Sequence, residues 1–393
     1  MHRKRATARA ALAALCLWTA CALADERLWV EARVNGRPAR ICFDTGTGDL
    51  VLLKAGAKRL GVAFTEPPTN TVLSPGEIPS GISEMCELTV NKSKLRTQFR
   101  VADLPAYVHT DIDGLIGWRA IKNNILKIDA ERGTVTGLEK IPNSARNWTQ
   151  LSLDKRSEYL QLEIPLPDLE SGSIFVDTGW TQGVGLTPAD WQEWKARHPL
   201  QPLTVKAYFM PGAGVLVKEE ALARELAIGP VTLTNVPVTE APPVHISLAV
   251  PPFEASLGLA GLKRMDLILD GPQGVAYVHP KKSKPQPYQH SRLGAAFVPS
   301  NPGSEDLVAQ IVPGSPAEEA GIRNGDVLLS IGNLDVTKWR TDPNVLPLSR
   351  FWEKPPGSKL VLTLRRGDKV FKVNVTLRQI LSPQTPGWKL WPR

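Results

Sequence analysis

The sequence predicts a mostly β chain made of two tandem-duplicated lobes and a smaller third unit of different design. Three observations predict it. Asp44-Thr45-Gly46 follows the apolar run Ile41-Cys42-Phe43, and Asp177-Thr178-Gly179 follows Ile174-Phe175-Val176. Each copy is followed by an apolar segment bounded by glycines, Gly114-Leu115-Ile116-Gly117 and Gly258-Leu259-Ala260-Gly261. The Pro- and Lys-rich stretch from His279 to His290 then separates these repeats from a terminal segment with its own strand pattern. A chain of 393 residues, 42% hydrophobic and 22% charged, is long enough for two or three domains with full cores.

Residues 1–24 read as a processing segment. Arg3, Lys4, Arg5 and Arg9 precede the uncharged run Ala10 to Ala24, and Ala22-Leu23-Ala24 fits a small-x-small cleavage site before Asp25. The run is short for a bilayer span, so an exported, periplasmic or secreted protein with no stable membrane span after processing is expected. The first lobe is assigned to 25–139. Its opening hairpin, Leu28 to Val34 and Ala39 to Phe43, turns at Asn35-Gly36, which suits a type I′ turn. Residues 140–157 form a polar connector. The second lobe, 158–279, opens on Tyr159 to Ile164, turns near Glu170-Ser171-Gly172 and returns through Ile174 to Val176. Thr187 before Pro188 marks a helix start. Both lobes close alike, Ile125-Leu126-Lys127-Ile128-Asp129 matching Leu267-Ile268-Leu269-Asp270. Residues 280–290 have almost nothing to bury and read as an extended linker. The third unit is assigned to 291–381, closing on a hairpin through Arg366-Gly367-Asp368.

The formal charge is +8, but four of the 47 basic residues lie in the leader, so the remainder exceeds the 39 acids by only four. That excess is small and dispersed, and no nucleic-acid partner is expected. Cys42 and Cys86 remain after processing. In an exported chain they invite a disulfide; the alternative is two buried thiols.

Two carboxylates at hydrogen-bonding distance cannot both ionise cheaply, so one pKa rises and the pair shares a proton. Such a pair can act as base on a water and as acid on a carbonyl, the tuning for which aspartic proteases are the standard example. A complete pair in one chain makes a monomer sufficient, and no metal or cofactor is required.

With these motifs the chain resembles bacterial retropepsin-like aspartic proteases with two fused pepsin-type lobes, an acid-protease β-barrel fold, followed by a PDZ domain. The PDZ likeness rests on Val312-Pro313-Gly314-Ser315-Pro316-Ala317 and the following Ala320-Gly321-Ile322 and Gly325-Asp326. The resemblance implies Asp44 and Asp177 as a catalytic dyad. Thr45 and Thr178 would form an interlocking hydroxyl grip, Gly46 and Gly179 would shape the loops, and Gly117 and Gly261 would lie in strands beneath them. It implies that the hydroxyl of Thr47 supports the first carboxylate. The second motif continues Trp180-Thr181. An indole cannot accept a hydrogen bond, so either Thr181 substitutes or the dyad is asymmetric, with Asp177 less well supported. Flap candidates are Pro75 and Gly76 in the first lobe, and Pro211 and Gly212 in the second. Leu293-Gly294-Ala295-Ala296-Phe297 stands where a PDZ carboxylate-binding loop should be, implying capture of a peptide C-terminus or partner.

The sequence holds no H-E-x-x-H, G-x-S-x-G or G-x-x-x-x-G-K-[ST]. The six His residues are scattered and expected on surfaces or loops, and the eleven Trp are expected in packing. The expected function is an aspartic endopeptidase acting on peptide or protein substrates, with the PDZ unit recruiting substrate from a flexible tether. The competing expectation, favoured by Trp180, is a catalytically silent peptide-binding scaffold.

Overall fold

The computed structural model describes residues 27–66, 78–90, 93–105, 107–108, 110–165, 171–211, 213–281, 287–301, 303–382 and the backbone of 388–389. Strands Trp29–Val34 and Arg37–Phe43 form the first hairpin. Its turn residues Asn35 and Gly36 have φ of 49° and 76°, the positive pair that a type I′ turn demands. Arg37–Phe43 then gains a parallel neighbour, Gly114–Ile116, which runs antiparallel to Leu50–Leu53. Leu50–Leu53 in turn lies parallel to Arg100–Ala102.

The second half repeats this scheme. Gln161–Ile164 pairs with Gly172–Val176, which runs parallel to Phe253–Leu257. Phe253–Leu257 is antiparallel to Val184–Leu186, itself parallel to Val231–Glu240. A strand enclosed on both faces and both edges must be apolar throughout. Ile174, Phe175 and Val176 are accordingly all buried. The helix Pro188–Arg197 starts where the sequence places it, with Thr187 accepting from the Asp190 N–H.

Ile125–Asp129 and Met265–Asp270 pair antiparallel across the middle and join the two halves. Thr134–Leu138 and Val275–Pro280 flank them. The expected polar connector is not only a connector. Its Thr149–Leu153 segment is a strand on Val275–Pro280, because Leu151 and Leu153 alternate with polar residues and are buried at the seam.

The third unit has the strand order Ala295–Pro299, Leu307–Ile311, Val327–Ile331, Lys359–Arg366, Lys369–Thr376. Its core includes Phe297, Ile322, Trp339 and Trp352. The free tether expected before it is not what the structure has. Residues 282–286 lie outside the described residues, but the Tyr288 hydroxyl donates to Glu220 at 2.7 Å and His290 is buried. Thr204 donates to the Ser291 carbonyl at 2.7 Å, and Val205 packs against Ala296 and Val312. Tyr107, Phe209 and Trp339 form an aromatic chain between the halves and the third unit. The backbone of Trp388–Lys389 returns to pair with Leu226 and Ala227. Apolar groups on both sides of the Lys-rich stretch dock the unit against the strands Thr204–Met210 and Gly214–Ile228.

No disulfide joins Cys42 and Cys86, and both thiols are buried. Cys42 lies opposite Trp29 at one end of its hairpin, while Cys86 lies beyond Val34, which pairs with Leu88 at the other end. At about 3.3 Å per residue along a strand, the two are far beyond the roughly 7 Å limit for bridging. Among the described residues, no helix is long and apolar enough to cross a membrane, and no group of three or more His, Cys, Asp or Glu could hold a metal ion.

Candidate active site

Both Asp-Thr-Gly motifs leave the ends of the central strands and meet. The Thr45 N–H donates to Thr178 Oγ1 at 3.0 Å, and the Thr178 N–H donates to Thr45 Oγ1 at 3.0 Å. Each hydroxyl then donates across to the opposite strand: Thr45 to the Val176 carbonyl at 2.6 Å, and Thr178 to the Phe43 carbonyl at 2.9 Å. Four hydrogen bonds in a fully buried square fix one loop against the other.

The glycines face the opposite carboxylates. A Cβ on Gly46 would lie 2.5 Å from the Asp177 carboxyl carbon, and one on Gly179 would lie 2.5 Å from Asp44 Oδ2. No side chain fits there, which is why the third motif position is glycine in both copies. Asp44 Oδ1 accepts from the Gly46 N–H at 2.9 Å, and Asp177 Oδ1 accepts from the Gly179 N–H at 2.8 Å. The Asp44 carboxyl is held well above the usual carboxylate range, first by desolvation, then by the charge of Asp177 and the hydrogen bond they share. The Gly46 and Thr47 amides oppose that rise.

Beyond this core the expectations need correction. Thr47 turns its N–H, not its hydroxyl, to Asp44; the hydroxyl accepts from the Asp49 N–H at 3.5 Å. Gly261 is not the partner of Gly117. Gly117 caps the helix Trp118–Ile121, and its counterpart is Gly258, which caps Leu259–Leu262. Each sits where a Cβ would strike carbonyls of the motif loop at 2.5 Å, Thr47 and Asp49 in the first half, Gln182 in the second. The two similar G-x-x-G strings are offset by one glycine, which the strings alone do not reveal.

Asp177 is the better supported carboxylate. Trp180 supplies its backbone N–H to Asp177 Oδ1 at 3.1 Å, while Thr181 turns to Gln182 instead. The decisive partner is His245, whose Nε2 lies 2.8 Å from Asp177 Oδ2 with both side chains buried. Its imidazole stacks on Phe175 at 4.9 Å and meets the Trp180 ring edge-on at 5.1 Å. The helix Pro243–Leu248 carries it. Sequence reasoning placed the histidines on surfaces and loops; His245 is instead buried on a helix, and His290 lies in a loop but is buried. The available signal was weak: a lone histidine in an apolar, Pro-led segment ahead of the strand Phe253–Leu257.

Of the flap candidates, Pro75, Gly76 and Gly212 lie outside the described residues. Pro211 is at the tip of the hairpin formed by Thr204–Met210 and Gly214–Ile228. That hairpin reaches the site through Tyr208, which lies beside Trp180 and whose phenol burial pushes above its ordinary value.

Comparison with known proteins agrees with this geometry. Residues 30–120 match the aspartyl protease family model, and residues 307–366 match a PDZ domain model. The chain thus carries an aspartyl protease domain and a PDZ domain. Over 73 residues it is 33% identical to serine protease HTRA1 of Xenopus tropicalis, covering 19% of this chain and 14% of the relative. Over 74 residues it is 35% identical to a probable periplasmic serine endoprotease, DegP-like, of Chlamydia trachomatis, again 19% and 14%. The chain therefore spans about a seventh of the length of these relatives. Among solved structures it is similar to the retroviral protease-like domain of Ddi1 from Leishmania major, at 18% identity and a TM-score of 0.23, covering 30% of this chain and 94% of that one. It is also similar to EIAV protease in complex with the inhibitor HBY-793, at 20% identity and a TM-score of 0.19, covering 24% and 83%.

In the PDZ domain, Leu293, Ala295, Ala296 and Phe297 are all buried. Gly294 has a φ of 69°, and its N–H faces Ser291 Oγ at 3.3 Å. Ala296 faces Val205 of the protease half, and Phe297 lies in the PDZ core against Trp352. The candidate carboxylate loop is therefore covered by the docking contact on one face.

Proposed function

We propose that the chain is an aspartic endopeptidase whose site is built by Asp44 and Asp177 in one polypeptide. The observation that carries this reading is the reciprocal Thr45–Thr178 lock, which turns two carboxylates toward each other and leaves Asp44 with a raised pKa. An ionised and a protonated carboxyl at one place suffice for amide hydrolysis. The carboxylate takes a proton from water as the water oxygen adds to the carbonyl carbon, and the acid gives its proton to the carbonyl oxygen. Delivery of one proton to the amide nitrogen breaks the C–N bond, return of the other restores the acid, and the products are a carboxylic acid and an amine.

A monomer is sufficient for this chemistry. The leader at residues 1–24 supports export, with a mature N-terminus at Asp25 and action outside the cytoplasm. The PDZ domain is assigned to peptide or protein recognition, from a docked position on the second half. The test is cleavage of a peptide library across acidic to neutral pH. Asp44→Asn and Asp177→Asn are each expected to lower turnover by roughly 10³-fold or more, with chelator without effect. Unchanged cleavage in either variant would remove that residue from the dyad, and a wild type that cleaves nothing would favour a peptide-binding scaffold.

A further inference from the structure

The buried imidazole at the dyad has no part in that exchange of protons. His245 is held from several sides. The Ala249 N–H donates to its carbonyl at 3.1 Å, and Gln161 brackets the following turn, donating to the Leu248 carbonyl at 3.3 Å and accepting from the Val250 N–H at 2.7 Å. Phe175 stacks on one face of the ring, and Trp180 packs against it perpendicularly. A side chain fixed this firmly presents one nitrogen to one oxygen.

The other nitrogen decides which of them carries the hydrogen. Among the described residues, His245 Nδ1 is buried without a hydrogen-bond partner. A hydrogen there would be a buried donor with no acceptor, which is costlier than a lone pair left bare. The neutral Nε2–H tautomer satisfies the only contact available, so Nε2 donates to Asp177 Oδ2. Asp177 then receives three donors, the Gly179 and Trp180 amides and the imidazole. Among the described residues, and apart from the bond it shares with Asp177, Asp44 has the Gly46 amide and the facing Thr47 N–H. Donors to a carboxylate favour its ionised form.

We propose that His245 is the positioning residue that breaks the symmetry of the dyad. Its Nε2–H holds Asp177 as the ionised member, so Asp44 carries the shared proton, Asp177 takes the proton from water, and Asp44 gives its own to the substrate carbonyl. The assignment of these two roles rests on the endopeptidase reading; the contact itself does not. The raised pKa of Asp44 agrees with it. The titratable groups around the imidazole are Asp177 on the motif loop, Asp44 behind it on the opposite loop, and Tyr208 beyond Trp180 on the hairpin.

The test compares wild type with His245→Phe, which keeps a ring between Phe175 and Trp180 but no donor, and His245→Gln, whose amide N–H reaches the same oxygen. In His245→Phe, kcat is expected to fall about ten- to hundredfold with KM within about twofold, and the acid limb of the kcat profile to move to higher pH. His245→Gln should recover most of the rate and the wild-type limb. A folded His245→Phe with wild-type kcat and limb overturns the proposal while leaving the protease reading intact. A readout independent of activity is the long-range ¹⁵N spectrum of histidine-labelled protein, with the His245 signal assigned by its loss in His245→Gln. An Nε2–H tautomer is expected; an Nδ1–H tautomer makes Asp177 the donor and overturns the assignment. Should wild type cleave nothing, the protease reading falls, and the tautomer still decides which atom of this pair holds the hydrogen.

Discussion

The two halves share a backbone scheme and differ in what surrounds it. In the first, Asp44 sits at the end of a strand whose loop continues through Thr47 and Gly48, and it keeps part of its surface exposed. In the second, Asp177 is enclosed by Trp180, His245 and Phe175. The strand pairings, the glycines and the threonine lock are matched residue for residue, because they assemble the loops. The enclosure is not matched: Trp180, His245 and Phe175 surround only the second carboxylate. Symmetry here belongs to the scaffold and asymmetry to what surrounds each carboxylate.

The strongest way to break this comparison is to attack what the halves share. Thr45→Val and Thr178→Val each remove one hydroxyl that both donates and accepts, leaving a buried N–H and a buried carbonyl without partners. Each should cost about 2–4 kcal/mol, measured by denaturant unfolding, and the two costs should be alike. A large difference would show that the lock is not reciprocal in energy.

A smaller effect should separate the halves. The Asp44 carboxyl is held above its ordinary value, so the folded chain keeps this proton more tightly than the unfolded chain does. The stability this contributes is complete below the unfolded value near 4 and is lost as pH rises through the folded value. Asn cannot ionise, so Asp44→Asn should melt higher than wild type at neutral pH, the gap closing as pH falls toward about 4. Asp177→Asn should melt lower at neutral pH, since its amide must turn a donor toward the Gly179 N–H or toward His245. Equal behaviour of the two would erase the asymmetry.

The smallest effect concerns the thiols. Because Cys42 and Cys86 are not joined, reductant should leave the melting temperature of the processed chain unchanged. A fall on reduction would mean that the two sulfurs meet.

Much of this was legible in the sequence, and the limits have a physical pattern. Asn35-Gly36, Thr187-Pro188 and the two Asp-Thr-Gly motifs act through neighbours along the chain, so local chemistry announces them. His245 reaches Asp177 across 68 positions, with four strands and the helix Pro188–Arg197 between them, and nothing next to it specifies that approach. The Gly117–Gly258 equivalence was hidden by a second glycine in the same string. The docking of the PDZ domain was hidden because charge and proline in 280–290 mask the residues that make it, Tyr288 within that stretch and Val205 and Ala296 outside it.

That docking has a thermodynamic corollary. The chain enters the PDZ domain beside Thr204 and Val205 and returns from it beside Leu226 and Ala227. The hairpin that carries Tyr208 toward the dyad is therefore clasped from both directions. Linkage between two places joined this way is reciprocal: if a ligand of the PDZ face changes the affinity of the cleft by some factor, a ligand of the cleft changes the affinity of the PDZ face by the same factor.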